Sequence, residues 1–170
     1  MVKIGLISDT HFRPEIAREA IEILKGHEVN LILHAGDIVE LETLKDLKNS
    51  NLPYAAVLGN NDYHLAKFKE EFELFNEPHI FNFENLTIKL MHHPKFLSAN
   101  TDIIVFGHTH SFTAVLNNDS LFINPGEICG RKYGNFTFAL LCCQDKNFQV
   151  FKFIKTPQDE KFNEIEVNLG

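Results

Sequence analysis

Cysteine is scarce in this chain and badly spaced for a covalent or metal framework. Cys129, Cys142 and Cys143 make an odd three, and the adjacent pair points to opposite faces of a strand. That excludes a disulfide scaffold and a Cys-x-x-Cys zinc site, and leaves small apolar residues in a reduced cytosol. No apolar run approaches the ~20 residues that cross a bilayer as a helix. The N-terminus lacks the basic start, long apolar segment and small-residue cleavage site of a signal peptide, so the expected location is the cytoplasm, with no membrane partner. Basic tracts are missing as well, and the formal net charge is −7. Both disfavour a nonspecific nucleic-acid scaffold and count against a nuclease. A metal-bound phosphate substrate stays compatible, because cations in a pocket reverse the local field. There is no internal repeat and no low-complexity tract.

What is present is a chain of 170 residues, 44% hydrophobic with 16 Phe. That is enough for one domain over residues 1–170 with one sizeable core, and argues against disorder. Val2 to Ile7, Leu31 to Ala35 and Tyr54 to Leu58 read as apolar strands. Helical patterns follow each: Pro14 to about Lys25, about ten residues from Leu41, and His64 to about Phe75 with the stripe Leu65, Phe68, Phe72, Phe75. The stripe reads as core. The second half is mostly β. Hairpins are predicted for His79–Phe83 with Leu86–Met91, Phe112–Leu116 with Ser120–Ile123, and Phe136–Cys143 with Phe148–Ile154. Between the first two lies the strand Ile103 to Phe106. The polar tail after Pro157 carries no fold signal. Strand–helix alternation implies parallel pairing with right-handed crossovers, and the hairpins add antiparallel strands. The expected fold class is α/β, a two-sheet sandwich with helices outside.

The segment Asp102 to His110, Asp-Ile-Ile-Val-Phe-Gly-His-Thr-His, organises the rest. An apolar strand stops at a glycine and then offers two imidazoles two positions apart, which can aim into one cavity. The pattern recurs. Asp9 and His11, Asp37, Asn60 and His92 each follow an apolar strand. Sites in open α/β sheets form beyond the carboxyl ends of the strands. Gly36, Gly59 and Gly107 each stand directly before a candidate ligand, where a backbone without Cβ can turn tightly. Mixed nitrogen and oxygen donors without thiolate suit Mn²⁺, Fe²⁺, Zn²⁺ or Ni²⁺ more than Ca²⁺. Two such ions can clamp a phosphoryl group and lower the pKa of a shared water, so that hydroxide is the nucleophile.

In this order, Asp9-x-His11, Gly36-Asp37, Gly59-Asn60-x-Asp62, His92 and Gly107-His108-x-His110 resemble the calcineurin-like metallophosphoesterases. The short length and the Asn124-Pro125-Gly126 turn are similar to their small bacterial and archaeal phosphodiesterase branch. The resemblance implies a four-layer αββα sandwich of two mixed sheets flanked by helices. It implies a first metal on Asp9, His11 and His110, a second on Asn60, His92 and His108, and Asp37 bridging them. The implied cofactor is two divalent ions, Mn²⁺ first, and the implied substrates are small phosphate esters, diesters above all. The retromer coat holds a similar protein with an altered metal site that works through its surface. A non-catalytic scaffold is therefore the competing reading, with a phosphomonoesterase or nuclease on the same metal pair as the third.

Three departures from the family pattern matter. Asn61 stands where the commoner motif has a phosphate-contacting histidine, and an amide cannot deliver a proton. His64 or His93 are the candidate substitutes, with Asp62 in support of the loop. Pro94 follows His92-His93 where glycine is usual; strand alternation sends the two rings to opposite sides, so one of them binds metal, and the family pattern selects His92. Only 15 residues separate His92 from His108, which predicts the intervening helix cut to a turn or two. That opens one wall of the cleft, or leaves it for a partner such as a second copy of the chain. Phe81, Phe83, Phe96 and Phe112, if exposed together, would mark such an interface or an apolar pocket for a leaving group. His34 reads as a core or metal-supporting imidazole, His27 as surface, His79 as structural, and Glu127 could approach the site.

Overall fold

The computed structural model describes residues 1–169. The chain runs β1 (Val2–Ile7), α1 (Pro14–Gly26), β2 (Leu31–His34), α2 (Leu41–Asn49), β3 (Tyr54–Val57), then a short 3-10 helix (Tyr63–Phe68) and β4 (Leu74–Phe75). It continues with β5 (His79–Phe83), β6 (Leu86–Leu90), β7 (Ile103–Val105), β8 (Thr113–Asn117), β9 (Ser120–Asn124), β10 (Phe136–Gln144), β11 (Asn147–Lys155) and β12 (Asn163–Val167). Seven strands form one mixed sheet in the order β12-β11-β10-β1-β2-β3-β4, and five form another in the order β5-β6-β7-β9-β8. The protein is an α/β sandwich of two mixed sheets with flanking helices.

Pleat alternation decides which side chain faces which layer. On β1, Ile4 and Leu6 face the second sheet, where Ile88, Leu90, Ile103, Val105, Leu121 and Ile123 meet them. Ile7, Ile32, Ala56 and Phe138 belong to the other core layer, with Ala17, Ala20, Ile21 and Leu24 of α1 and Leu44 and Leu47 of α2. Cys142 falls in the helix-side core and Cys143 in the inter-sheet core. Because β1, β2 and β3 run parallel, and β6, β7 and β9 likewise, their carboxyl ends bring the loops at 8–11, 35–39, 58–62, 91–93 and 107–110 to one rim.

Two expectations fail. The helix from His64 to Phe75 is only a 3-10 turn ending at Phe68, followed by a strand. The edge of β3 takes the backbone: Ala56 N–H donates to Glu73 O at 2.8 Å and Leu58 N–H to Phe75 O at 3.0 Å. Sheet pairing overrides the helical stripe, although Phe72 is buried and Phe68 packs on the core. The tail is not structureless either. Residues Asn163–Val167 pair antiparallel with β11, from Val150↔Val167 to Ile154↔Asn163.

Over the outer face of the five-stranded sheet, residues 93–102 form an irregular loop with one turn at Pro94-Lys95. Lys89 projects from this face and is 2% exposed. Its ammonium donates to Phe96 O (3.0 Å), Ser98 O (3.2 Å), Ser98 Oγ (2.9 Å) and Asn100 Oδ1, tying the loop down. Phe96 is exposed, whereas Phe81, Phe83 and Phe112 pack on the inter-sheet core, so the four do not form one apolar face. His79 stacks between Phe75 and Phe81, and His27 lies edge-on to Phe153, half-buried rather than on the surface.

Candidate metal centre

The rim loops are bent into conformations that residues with a Cβ avoid. Asp9, His11, Asp37, His108 and His110 have φ of 52°, 41°, 54°, 66° and 62°. Each left-handed non-glycine residue costs roughly 1–2 kcal/mol, so surrounding bonds must impose the geometry. Asp9 N–H donates to Gly36 O (3.0 Å), His11 N–H to Asp37 O (3.1 Å), and Gly107 N–H to His92 O (3.0 Å). Glycines let the loops close. A Cβ on Gly59 would lie 2.3 Å from Asp37 Oδ1, and one on Gly107 would lie 2.2 Å from Ser8 Oγ.

The rim loops aim six of the candidate side chains at the Asp37 carboxylate or at one another. Asp37 Oδ2 is 3.5 Å from His11 Nε2 and 3.4 Å from His92 Nε2. On the first side, His110 Nε2 is 3.2 Å from Asp9 Oδ1 and His11 Nε2 is 3.9 Å from it. On the second, Asn60 Oδ1 is 3.0 Å from His92 Nε2 and 3.2 Å from His108 Nδ1, and the two ring nitrogens are 3.3 Å apart. All seven sequence candidates (Asp9, His11, Asp37, Asn60, His92, His108 and His110) lie in this one cluster.

The supporting bonds fix which ring nitrogens carry lone pairs. His92 Nδ1 lies 2.8 Å from Ala35 O and must donate to it, which turns the Nε2 lone pair inward. Glu127, 1% exposed, takes His110 Nδ1 in the same way, so it does reach the site. Its carboxylate also accepts Lys132 N–H and Tyr133 N–H. Burial would raise Glu127, but the His110 bond and those backbone donors bring it below the ordinary range. Burial likewise opposes ionisation of Asp37; in the metal-free protein a His92 ring protonated on Nε2 as well as Nδ1, through its bond and charge, and Asn61 reverse that and hold it well down. Burial lifts Asp9 to about 6 and lowers His11 and His108. His34 is fully buried between Gly36 N–H (3.1 Å, to Nδ1) and Thr10 Oγ1 (3.0 Å, from Nε2), and burial pushes it to about 3. It is a neutral core imidazole, outside the cluster.

The donor set fits divalent ions on an observation independent of any family pattern. Asp9 Oδ1 and His11 Nε2 are buried with no hydrogen-bond partner, and both point into the first group. Buried polar atoms are rarely left so unless something else satisfies them. Four groups among the described residues place possible ligand atoms within 4.8 Å of one another: Asp9, His11 and His110; Asp9, Asp37 and His92; His92, His93 and His108; and His110, Glu127 and Cys129.

The remaining candidates fall in different places. Asp62, fully buried, accepts Gly59 N–H (2.8 Å), Ile38 N–H (3.0 Å) and Val39 N–H (2.8 Å), locking two rim loops together. Asn61 turns onto Asp37 rather than into open space. His64 Nε2 is bonded to Val39 O (2.7 Å) at the rim. His93 does not point away from His92. Strand β6 ends at Leu90, so alternation no longer applies, and Glu77 accepts both His92 N–H and His93 N–H and binds His93 Nδ1. The His93 ring sits 4.5 Å from that of His108. Sequence reasoning missed Glu77, Ser8, which donates to Asp9 Oδ2, and Arg131, which contacts His11. Ser8 is adjacent to the candidate ligand Asp9 and could have been suspected; nothing in the sequence marks Glu77 or Arg131.

Known proteins resemble this chain along most of its length. Residues 2–146 match the model of the calcineurin-like phosphoesterase superfamily domain. A phosphodiesterase of Methanocaldococcus jannaschii is 35% identical over 161 residues, 87% of this chain and 97% of that one. A solved structure described as a novel archaeal phosphodiesterase superposes with a TM-score of 0.78 at 31% identity, over 98% of this chain and 100% of that one. Vps29 of Entamoeba histolytica complexed with zinc superposes with a TM-score of 0.74 at 19% identity, over 98% and 100%, which is a likeness of fold. With 145 of its 170 residues inside the family model, this chain belongs to the calcineurin-like phosphoesterase superfamily.

Proposed function

We propose that the chain is a phosphodiesterase that cleaves small phosphate esters with two divalent ions, Mn²⁺ ahead of Fe²⁺, Zn²⁺ or Ni²⁺. Asp9, His11 and His110 would hold one ion, Asn60, His92 and His108 the other, and Asp37 both. The observation that carries the reading is the position of Asp37 Oδ2, 3.5 Å from His11 Nε2 and 3.4 Å from His92 Nε2, which suits a carboxylate shared by two sites. Such a pair supplies a polarised phosphoryl group and a solvent nucleophile of lowered pKa, so no Ser or Cys nucleophile is required.

The chain's own groups set that chemistry up. Ala35 O and Glu127 hold His92 and His110 with their Nε2 lone pairs inward. Asn61 anchors Asp37, and Asp62 fastens the loops that carry them. His93, backed by Glu77, is better placed than His64 to give a proton to a departing alkoxide. Without an imidazole at position 61, good leaving groups are favoured, so aryl diesters should be the best substrates. The competing reading, a scaffold without catalysis, draws on the Vps29 likeness, which at 19% identity concerns fold alone. The complete donor set favours catalysis.

The test is hydrolysis of an aryl phosphodiester and an aryl phosphomonoester with and without Mn²⁺, by wild type and Asp37→Ala. Mn²⁺-dependent diester turnover that vanishes in Asp37→Ala supports the reading. A fully metal-loaded wild type without turnover would establish the scaffold, and turnover of the monoester alone would overturn the diester preference.

A further inference from the structure

Arg131 stands over His11, with Nη1 3.2 Å from Nδ1. The loop that carries it is built around the buried Glu127 carboxylate, which accepts Lys132 N–H (3.0 Å) and Tyr133 N–H (2.7 Å). Gly134 N–H closes the loop on Gly130 O at 3.1 Å, and both glycines have positive φ, 65° and 74°. The base of the loop is thus fixed while the arginine side chain lies exposed at its tip. Among the described residues, His11 is the only hydrogen-bond partner of this guanidinium, and no carboxylate pairs with it. The neighbouring cation, Lys132, is committed to Thr109 O at 3.1 Å. Arg131 borders a cavity of about 420 Å³ beside the metal-ligand cluster, lined also by His11, Phe12, Glu40, Asn61 and His64.

The contact with His11 is at odds with ligation by His11. A guanidinium only donates, so Nδ1 must be the acceptor and the ring proton must sit on Nε2. Ligation through Nε2 needs its lone pair, which puts the proton on Nδ1. Two donors would then face each other at 3.2 Å, and the arginine must turn away. Its surroundings offer one carboxylate acceptor, Glu40, which lines the same cavity and competes with an anion for the fork. His64 already binds Val39 O, and the Asn61 amide is directed at Asp37. The planar fork matches phosphate oxygens, to which arginine forms paired charge-assisted bonds.

We propose that Arg131 is a substrate-binding residue: displaced from His11 when that imidazole becomes a ligand, it holds the non-bridging oxygens of the phosphate ester in the cavity beside His11, Phe12 and Asn61. It contributes positive charge where Asn61 brings none. The inference rests on the phosphoesterase reading and assigns the contact that its motif residues leave open.

Calorimetric titration separates the two roles of Arg131. Wild type, Arg131→Gln and Arg131→Lys are titrated with Mn²⁺, and then, metal-loaded, with inorganic phosphate. Arg131→Gln is expected to bind Mn²⁺ at least as tightly as wild type, because a contact competing for His11 is gone. Its phosphate affinity should fall roughly 10- to 100-fold, the loss expected for a hydrogen-bonded ion pair. Arg131→Lys should recover part of it. For an aryl diester, KM should rise by more than kcat falls. Phosphate affinity within about two-fold of wild type overturns the proposal, as does a joint loss of Mn²⁺ and phosphate, which would mark a mere support for His11. A wild type that binds Mn²⁺ but hydrolyses neither ester sinks the phosphoesterase reading instead.

Discussion

Asn61 holds both oxygens of Asp37: its backbone N–H donates to Oδ1 at 2.9 Å and its side-chain amide to Oδ2 at 2.8 Å. Asn61 therefore serves the carboxylate between the two candidate ion sites. Asn61→His should change the range of leaving groups. An imidazole there can deliver a proton near neutral pH, worth ~10²–10⁴-fold with a poor leaving group and little with a good one. The lost amide bond to Asp37 sets a cost on all substrates. Turnover of an alkyl diester should rise relative to an aryl diester by at least ~10-fold. Steady-state kcat/KM on the two substrates checks this, and an unchanged ratio would show that another group already protonates the leaving oxygen.

Glu127→Gln should weaken metal binding with little effect on the fold. The carboxylate obliges His110 to carry its proton on Nδ1 and to present Nε2 to Asp9 Oδ1 at 3.2 Å. A glutamine amide can donate to Nδ1 instead, which moves the ring proton to Nε2 and removes the ligating lone pair. Partners of this kind are worth roughly 10–100-fold in metal affinity. Mn²⁺ titration together with a metal-free melting curve decides it. A large drop in stability with unchanged affinity would make Glu127 a loop-folding residue only.

The strand ends were legible because polar residues of metal-binding type stand at regular places: Asp9, Asp37, Asn60, His92 and His108 each follow an apolar run that must be buried. The parallel order of β1, β2 and β3 followed from the intervening helices. Position 72 shows where legibility ends. Phe72 is core whether its backbone is helical or not, so the hydrophobic stripe could not reveal that the edge of β3 captures residues 73–75. The side on which His93 points depended on where β6 stops, and a boundary is set by pairing with Val105, not by local composition. Glu77 and Arg131 act through partners 16 and 120 positions away, and no local pattern encodes such a distance.

His34 makes the metal-free protein sensitive to mild acid. Its ordinary value of 6.5 falls to about 3 in the fold because burial disfavours the imidazolium. Above pH 6.5 both folded and unfolded states hold it neutral, and its contribution is fully present. As pH falls below 6.5 only the unfolded state takes the proton, and stability is lost at about 1.4 kcal/mol per pH unit until the folded-state value is reached. Asp9, raised to about 6 by burial, acts in the opposite sense over part of this window. The comparison must therefore be between wild type and His34→Gln. Urea unfolding in chelator at pH 6.5, 5.5 and 4.5 should show the wild type losing more stability per pH unit than the variant. Parallel slopes would mean that His34 is protonated in the folded state.

Lys89, 2% exposed, holds down the irregular loop over the outer face of the five-stranded sheet. The segment from Lys95 to Asn100 is exposed throughout, and Lys89 holds it by Phe96 O, Ser98 O, Ser98 Oγ and Asn100 Oδ1. Lys89→Met keeps the aliphatic stem against the outer sheet face, next to Met91 and Ile104, and deletes only the donors. The freed carbonyls are close to water and can be solvated, so the global cost should be modest, about 1–3 kcal/mol. Local opening should change far more, since among the described residues Lys89 makes the hydrogen bonds that tie residues 95–100 to the sheet. Chymotrypsin should then cut after Phe96 or Leu97 at least ~10-fold faster, at temperatures where the core remains folded. Mapping the cleavage site by mass spectrometry and following urea unfolding in parallel separates the two effects. Cleavage that accelerates only in step with global unfolding would show that the loop is held by its own conformation and not by the lysine.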